Sequence, residues 1–387
     1  MRGTIRLGSL LGIPIGVDLS WFLSLFWVLS ILGFRVYPDI LPRENMLVHW
    51  ALAGVTGLIF FVCIILHELG HSVVARYFDI PVRSITLFVL GGVAQITRDA
   101  TRPLPELLMA LAGPAVSILL GGVFMLLWFV TGEGSNPAST MFWWLWVTNI
   151  FLGIFNLAPV FPMDGGRVLR ASLWGVTHSY GTATRIAVWI ARVVAWGLVG
   201  YGFVSILDLE FVPNPGLVNG IWMLLIGFFL LQNANASLRQ TRQHEELAKH
   251  RVGDLMLRDV RVVLATTTVR EMLLGPLAGY GQRDWLFVSG GEQFAGLLER
   301  AAVLRVPEEQ WDTARAADLM LPAATLHPLG PEATLVDVLQ LFQEHDVTVL
   351  PVVDQGEVAG IVHEGILNRL LEPKVPAPKV SASKLKR

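Results

Sequence analysis

Six runs of apolar residues, each close to the length that crosses about 30 Å of hydrocarbon, fall in the first 238 of 387 residues. They cover 19–34, 51–75, 107–130, 141–161, 186–206 and 217–235. This feature constrains the fold most, because a chain in lipid must satisfy its own backbone hydrogen bonds and therefore crosses as helices or as a closed barrel. Runs this long predict helices. The fourth is less regular, with Asn149 and Asn156 inside it and Pro159 and Pro162 at its end, so five spans plus a re-entrant piece is the alternative to six.

The balance of residues agrees: 53% are hydrophobic and 16% charged, with a mean hydropathy of +0.56, against the usual quarter charged in a soluble protein. Residues 1–238 hold 12 Arg, no Lys and 11 acidic residues, whereas 239–387 hold 17 basic and 20 acidic ones, so the chain changes solvent near Leu238. A net charge of −2 gives no sign of nucleic-acid binding. Cys63 is the only cysteine, which excludes an internal disulfide framework and a thiolate-rich metal cage; it reads as a small buried apolar residue. Arginines cluster at the N-terminus and in the second and fourth connections (Arg2, Arg6; Arg76, Arg83, Arg98, Arg102; Arg167, Arg170, Arg185), while the opposite connections offer Arg35 and Arg43. That asymmetry predicts a multi-pass protein of the cell membrane with both termini cytoplasmic. The first run leads into YPDILPREN rather than a small-residue cleavage site, so no cleavable signal peptide is expected. Arg192, inside the fifth run, is expected to snorkel to the cytoplasmic surface.

Within the second run stands IILHELGHSV, residues 64–73. His67 and His71 are four apart, so on a helix their imidazoles share a face and can share a metal ion, with Glu68 beside them. This is the HExxH pattern of zinc peptidases. Ionisable groups at membrane depth are costly and tend to line functional cavities, which strengthens the metal reading over that of solvated helix residues. A catalytic zinc takes three protein ligands and one open position, so a third ligand must come from elsewhere. Asp164 in FNLAPVFPMDGGRVLR lies where prolines and glycines free the backbone from helix at the end of a span; it also reads as the N-cap of the helix that follows. His178, Asp99 and Glu106, at predicted cytoplasmic edges, have ordinary surface explanations. Zinc would acidify water and polarise a carbonyl, and Glu68 would accept the water proton and pass it to the leaving amine.

HELGH together with NLAPVFPMDGG some ninety residues later resembles the site-2 protease family of intramembrane zinc metalloproteases. The resemblance continues through IRLGSLLGIPIGVDLSW, FVLGGVAQI and LMALAGPAVSILLG and so covers about residues 1–235. It implies one zinc held by His67, His71 and Asp164, with Glu68 as catalytic base. It implies for Asn156 a part in positioning substrate or stabilising the oxyanion; an interhelical hydrogen bond is the alternative. Where the family often has Asn after AGP this chain has Ser117, which retains one hydrogen-bond donor. The family acts on membrane-anchored proteins, cut within or near their spans, with transcription regulators and anti-sigma factors as precedents. FVLGGVAQI itself reads as a strand, and an edge strand here could pair with an unwound substrate.

After the charged connector RQTRQHEELAKHR (239–251), residues 252–372 hold an internal repeat, about 252–306 and 315–372, whose DLM triplets are 64 residues apart. Each copy reads as a helix, two strands and a helix. The pair resembles tandem cystathionine-β-synthase (CBS) domains, which implies adenine-nucleotide binding or homodimerisation. Nucleotide-binding copies carry Thr or Ser and, three residues on, Asp; this chain has Glu299 and Ala302, then His363 and Ile366, so a regulatory or dimerising module is the expectation. The tail 373–387 is rich in Pro, Ser and Lys and reads as disordered. The expected fold is thus a polytopic α-helical membrane protein of about six spans, with a short membrane-associated β segment, plus a soluble α/β CBS pair. The rival reading is a CBS-regulated ion transporter whose His67, Glu68, His71 and Asp164 bind a transported ion.

Overall fold

The computed structural model describes residues 4–365 except 90, 97–99, 133–135, 208–212, 214, 259–260, 279–284, 292–293, 346, 348, 355–356 and 364. Asp99, Ile366 and the tail 373–387 lie outside the described residues. Two compact units divide the chain, Met1–Gln243 and His244–Arg387.

The first unit opens with a hairpin, β1 (Thr4–Leu10) and β2 (Ile13–Asp18), followed by α1 (Trp21–Ile31), a wider π turn (Leu32–Val36) and the short α2 (Tyr37–Ile40). Then come α3 (Met46–Tyr77), β3 (Val82–Phe88), β4 (Gly91–Ile96), α4 (Pro103–Val130), α5 (Pro137–Asn156), α6 (Asp164–Thr177), α7 (Tyr180–Ile206) and α8 (Leu217–Lys249). Among the described residues six helices are long and apolar enough to cross a membrane; the first runs from Trp21 through the π turn to Ile40. The fourth crosses as one continuous helix, α5, and the irregular backbone begins only after Asn156. Exposed apolar side chains along these helices, Leu23, Phe26 and Trp27 on α1 among them, are what a lipid-facing surface requires.

Local chemistry sets the helix starts. Asn45 accepts from the Val48 amide at 3.0 Å before α3 and Asn136 from the Ser139 amide at 2.8 Å before α5, the usual N-cap bond. Pro103 and Pro137 open α4 and α5, where the missing N–H has no intrahelical partner to lose. The four strands form one sheet in the order β1-β2-β3-β4, with β2 and β3 parallel (Ile15 opposite Ile85) and β3 and β4 antiparallel (Ile85 opposite Ala94). FVLGGVAQI is therefore the end of one strand, a turn and the whole of the next. The turn of the first hairpin is held to α3, because Arg76 donates to the Leu11 and Gly12 carbonyls. Arg192 is half-buried, and its Nε donates to Asn235 Oδ1 on α8 at 3.1 Å.

The second unit takes in the end of α8 from His244 and then α9 (Val252–Leu255), β5 (Val262–Leu264), α10 (Val269–Leu274), β6 (Trp285–Ser289), β7 (Phe294–Glu299), α11 (Arg300–Leu304), α12 (Ala316–Leu319), β8 (Leu321–Pro322), α13 (Leu335–His345), β9 (Val349–Asp354) and β10 (Glu357–His363). β5 runs parallel to β6, and β6, β7 and β8 follow antiparallel. The repeat is visible in the pairing: Leu321 lies opposite Leu297 on β7, and Leu257 lies opposite Ile361 on β10. The segment after each DLM triplet thus completes the sheet of the other copy. Phe287, Leu297, Leu326, Val349 and Ile361 form an apolar cluster drawn from both.

Candidate metal centre

Six turns of apolar helix precede His67 on α3, and about 9 Å of helix follow His71 before Tyr77. Both histidines are buried, and they share one face as their spacing requires. Their Nε2 atoms stand 3.3 Å apart. Asp164, at the first position of α6, brings Oδ2 to 3.3 Å from His67 Nε2 and 3.2 Å from His71 Nε2. Its expected alternative as N-cap is not what forms: Met163 occupies that position and no side chain caps the helix, while the Asp164 carboxylate turns to the imidazoles. Among the described residues these three form the cluster able to hold a metal ion.

The donor set fits zinc on geometry. A tetrahedral ion with bonds of about 2.0–2.1 Å has donor-to-donor edges of about 3.3 Å, the separation found on all three sides. The ring tautomers fit as well. His71 Nδ1 lies 2.7 Å from the Met109 carbonyl, which can only accept, so the neutral ring carries its proton there and leaves the Nε2 lone pair facing the cluster. His67 Nδ1 lies 2.8 Å from Ser117 Oγ, which serves the same end. Both partners sit on α4, as does Gly113, where a Cβ would come within 2.2 Å of His71 Nε2 and 2.7 Å of His67 Nε2. The absent side chain is the space into which the two rings point.

Glu68, one residue on, is half-buried and its Oε2 accepts from the Ala94 amide at 3.2 Å. Ala94 lies on β4, the last strand of its sheet, so this N–H belongs to the edge that no further strand pairs among the described residues. Asn156 ends α5, half-buried, with its side-chain amide donating to the Leu152 carbonyl of the same helix at 2.9 Å; that bond is within the helix, not between helices. His178 is exposed and takes a left-handed backbone at the end of α6. Glu106 corrects the expectation of a surface residue: it is 2% exposed and ion-paired with Arg170, because α6 packs over the start of α4.

Spacing alone marks His67, Glu68 and His71. It is silent on Gly113, the Met109 carbonyl and the Ala94 amide, since a backbone group and a missing side chain leave no local pattern; their only trace was the AGP and GG motifs within family-like segments.

The chain matches the family model "Peptidase family M50" over residues 55–139 and 130–199 and the model "CBS domain" over 316–372. A protein of Synechocystis sp. named as a zinc metalloprotease is 30% identical over 378 residues, 96% of this chain and 96% of its own. A zinc metalloprotease of Methanocaldococcus jannaschii is 30% identical over 275 residues, 70% of this chain and 72% of its own. The solved site-2 protease from Methanocaldococcus jannaschii is 31% identical, covers 61% of this chain and 95% of its own, and superposes with a TM-score of 0.41. Identity at that level across the full length of a relative, with the M50 and CBS models matched in order, places this multi-pass membrane protein in peptidase family M50, the site-2 protease family of zinc metalloproteases.

Proposed function

We propose that the chain is an intramembrane endopeptidase that cuts membrane-anchored proteins within or near their spans, with His67, His71 and Asp164 holding one zinc and Glu68 as general base. The observation that carries the reading is the triangle of two imidazole nitrogens and one carboxylate oxygen, 3.2–3.3 Å on a side, with both imidazoles on a helix long enough to cross the bilayer and the carboxylate brought to them by α6. Zinc, when bound, supplies Lewis acidity toward a carbonyl and lowers the pKa of water.

The chain's own residues do the rest. Met109 and Ser117 orient the imidazoles, and Gly113 keeps the space between them open. Glu68 takes a proton from the attacking water at a carboxylate oxygen and delivers it to the leaving amine nitrogen, so the same group serves as base and then acid. The Asn156 amide has two N–H groups and spends one on Leu152; the second has no partner among the described residues and is the donor this reading assigns to the oxyanion. A helical peptide bond is already hydrogen-bonded, so the substrate must unwind before attack. The outer edge of β4, beside Glu68, offers main-chain donors and acceptors to an extended segment.

The same reading places the enzyme in the cell membrane with its N-terminus and CBS unit cytoplasmic, on the arginine distribution. The CBS pair regulates cleavage or joins two copies; an adenine nucleotide, the ligand associated with such pairs, is the secondary reading, because Glu299 and Ala302 and then His363 and Ile366 replace the residues of nucleotide-binding copies. The substrate class includes membrane-tethered transcription regulators and anti-sigma factors.

Metal analysis of detergent-purified protein tests the core of this without a known substrate. One zinc per chain in wild type, retained in Glu68→Gln and depleted in Asp164→Ala, is expected. Absence of zinc from gently prepared wild type, or full retention in Asp164→Ala, would overturn the ligand set.

A further inference from the structure

One buried ionic contact in the membrane unit has no part in the chemistry above. Glu106 lies in the first turn of α4 and Arg170 in α6, 2% and 8% exposed. Arg170 Nε donates to Glu106 Oε1 at 2.8 Å, and its terminal nitrogen meets the same oxygen. Aromatic rings enclose the guanidinium: its carbon is 5.5 Å from the centre of Phe161 and 4.8 Å from that of Tyr180. The second carboxylate oxygen of Glu106 is buried with no hydrogen-bond partner among the described residues.

A buried pair with one oxygen left over is a poor stabiliser. Desolvating both charges is costly, and an apolar pair of similar volume is often as stable or more so. What such a pair supplies is register, since any slide or rotation of one helix strands two charges.

Its position says which register. Met109, Gly113 and Ser117 follow Glu106 on α4 at intervals of 3, 7 and 11 residues, so all four share one face of that helix. Three of them contact the histidine rings or the space between them. At the other end, Arg170 is six residues beyond Asp164 on α6, and Phe161, which it covers, is in the irregular segment immediately before Asp164. The ion pair therefore joins the helix that orients His67 and His71 to the helix and loop that carry the Asp164 carboxylate.

We infer that Glu106 and Arg170 are positioning residues, fixing α6 against α4 so that Asp164 Oδ2 meets His67 and His71 at zinc-ligand distance. The inference rests on the ligand set proposed above.

The test uses the full-length protein in detergent, with three readouts: zinc affinity by competition with a chelator of known affinity, the visible spectrum of the Co²⁺-loaded protein as a report of ligand geometry, and the Tm of the zinc-free form. Glu106→Gln is expected to weaken zinc binding by about 10- to 100-fold and to alter the cobalt spectrum. The double variant Glu106→Leu/Arg170→Met removes both charges, so its zinc-free Tm should return to the wild-type value or above while zinc binding stays weak. Should Glu106→Gln fail to fold, the double variant carries the test alone. Wild-type zinc affinity and cobalt spectrum in the double variant would overturn the inference, because the pair would then serve the fold only. Failure of the ligand set reads differently: Asp164→Ala would bind zinc as wild type does.

Discussion

Gly113 contributes no side chain, yet the site is built around it. A methyl group there would lie 2.2 Å from one metal-facing nitrogen and 2.7 Å from the other, closer than any non-bonded contact, and these nitrogens belong to rings whose far sides are held by Met109 and Ser117. Gly113→Ala should therefore displace the imidazoles at an overpacking cost of about 1–3 kcal/mol, with zinc content falling below half of wild type by metal analysis while the helix content stays unchanged by circular dichroism. Ser117→Ala removes the hydroxyl at His67 Nδ1 and leaves a ring nitrogen buried without its partner. Zinc affinity should drop about 10-fold, measured by chelator competition. An affinity unchanged from wild type would mean that the ring is held by packing alone.

At the scale of elements, α3 and β4 act as a pair. Ala94 points its N–H away from β3 and toward Glu68, so proline at this position removes no ladder bond of the sheet but deletes the donor and blunts the edge. Ala94→Pro should keep zinc and slow cleavage of a membrane-anchored reporter at least about 10-fold, a prediction that fails if the cleavage rate is unaltered. In the second unit, Arg270 beside Asp312 holds that carboxyl below the usual carboxylate range, through a hydrogen bond at 2.6 Å. A lowered carboxyl pKa contributes stability that is present above the ordinary value and lost as pH falls through the lowered one. The pair is exposed, so the effect is small; Arg270→Met should lower the unit's Tm slightly at neutral pH and leave it unchanged in acid below the lowered pKa, so that the acid limb of the melting profile flattens.

The whole molecule joins two solvents in one chain, and each unit closes by exchange between distant segments. In the soluble unit Leu257 crosses onto β10 and Leu321 onto β7, and the crossings pass over two equivalent glycines: a Cβ on Gly296 would meet the Leu321 carbonyl at 2.2 Å, and one on Gly360 the Leu257 carbonyl at 2.7 Å. Because each copy completes the other's sheet, Gly296→Val should lower the stability of both together, seen as one earlier transition in thermal unfolding rather than the loss of a single copy. Two separate transitions would show that the copies fold independently.

Six spans, the paired histidines with their glutamate and the 64-residue repeat were legible in the sequence because each is a local pattern: a run length, a helical spacing, a self-similarity. Asp164 was legible less directly, from irregular backbone at the end of a span and from family likeness, since 97 residues separate it from His67. The partner of Glu106, the bond from Arg192 to Asn235, the joining of the first hairpin to β3 and the need for glycine at 113 were settled only by tertiary structure. Each depends on which faces of two helices or strands meet. That choice is made by side-chain packing across the whole unit, and no periodicity within a single segment encodes it.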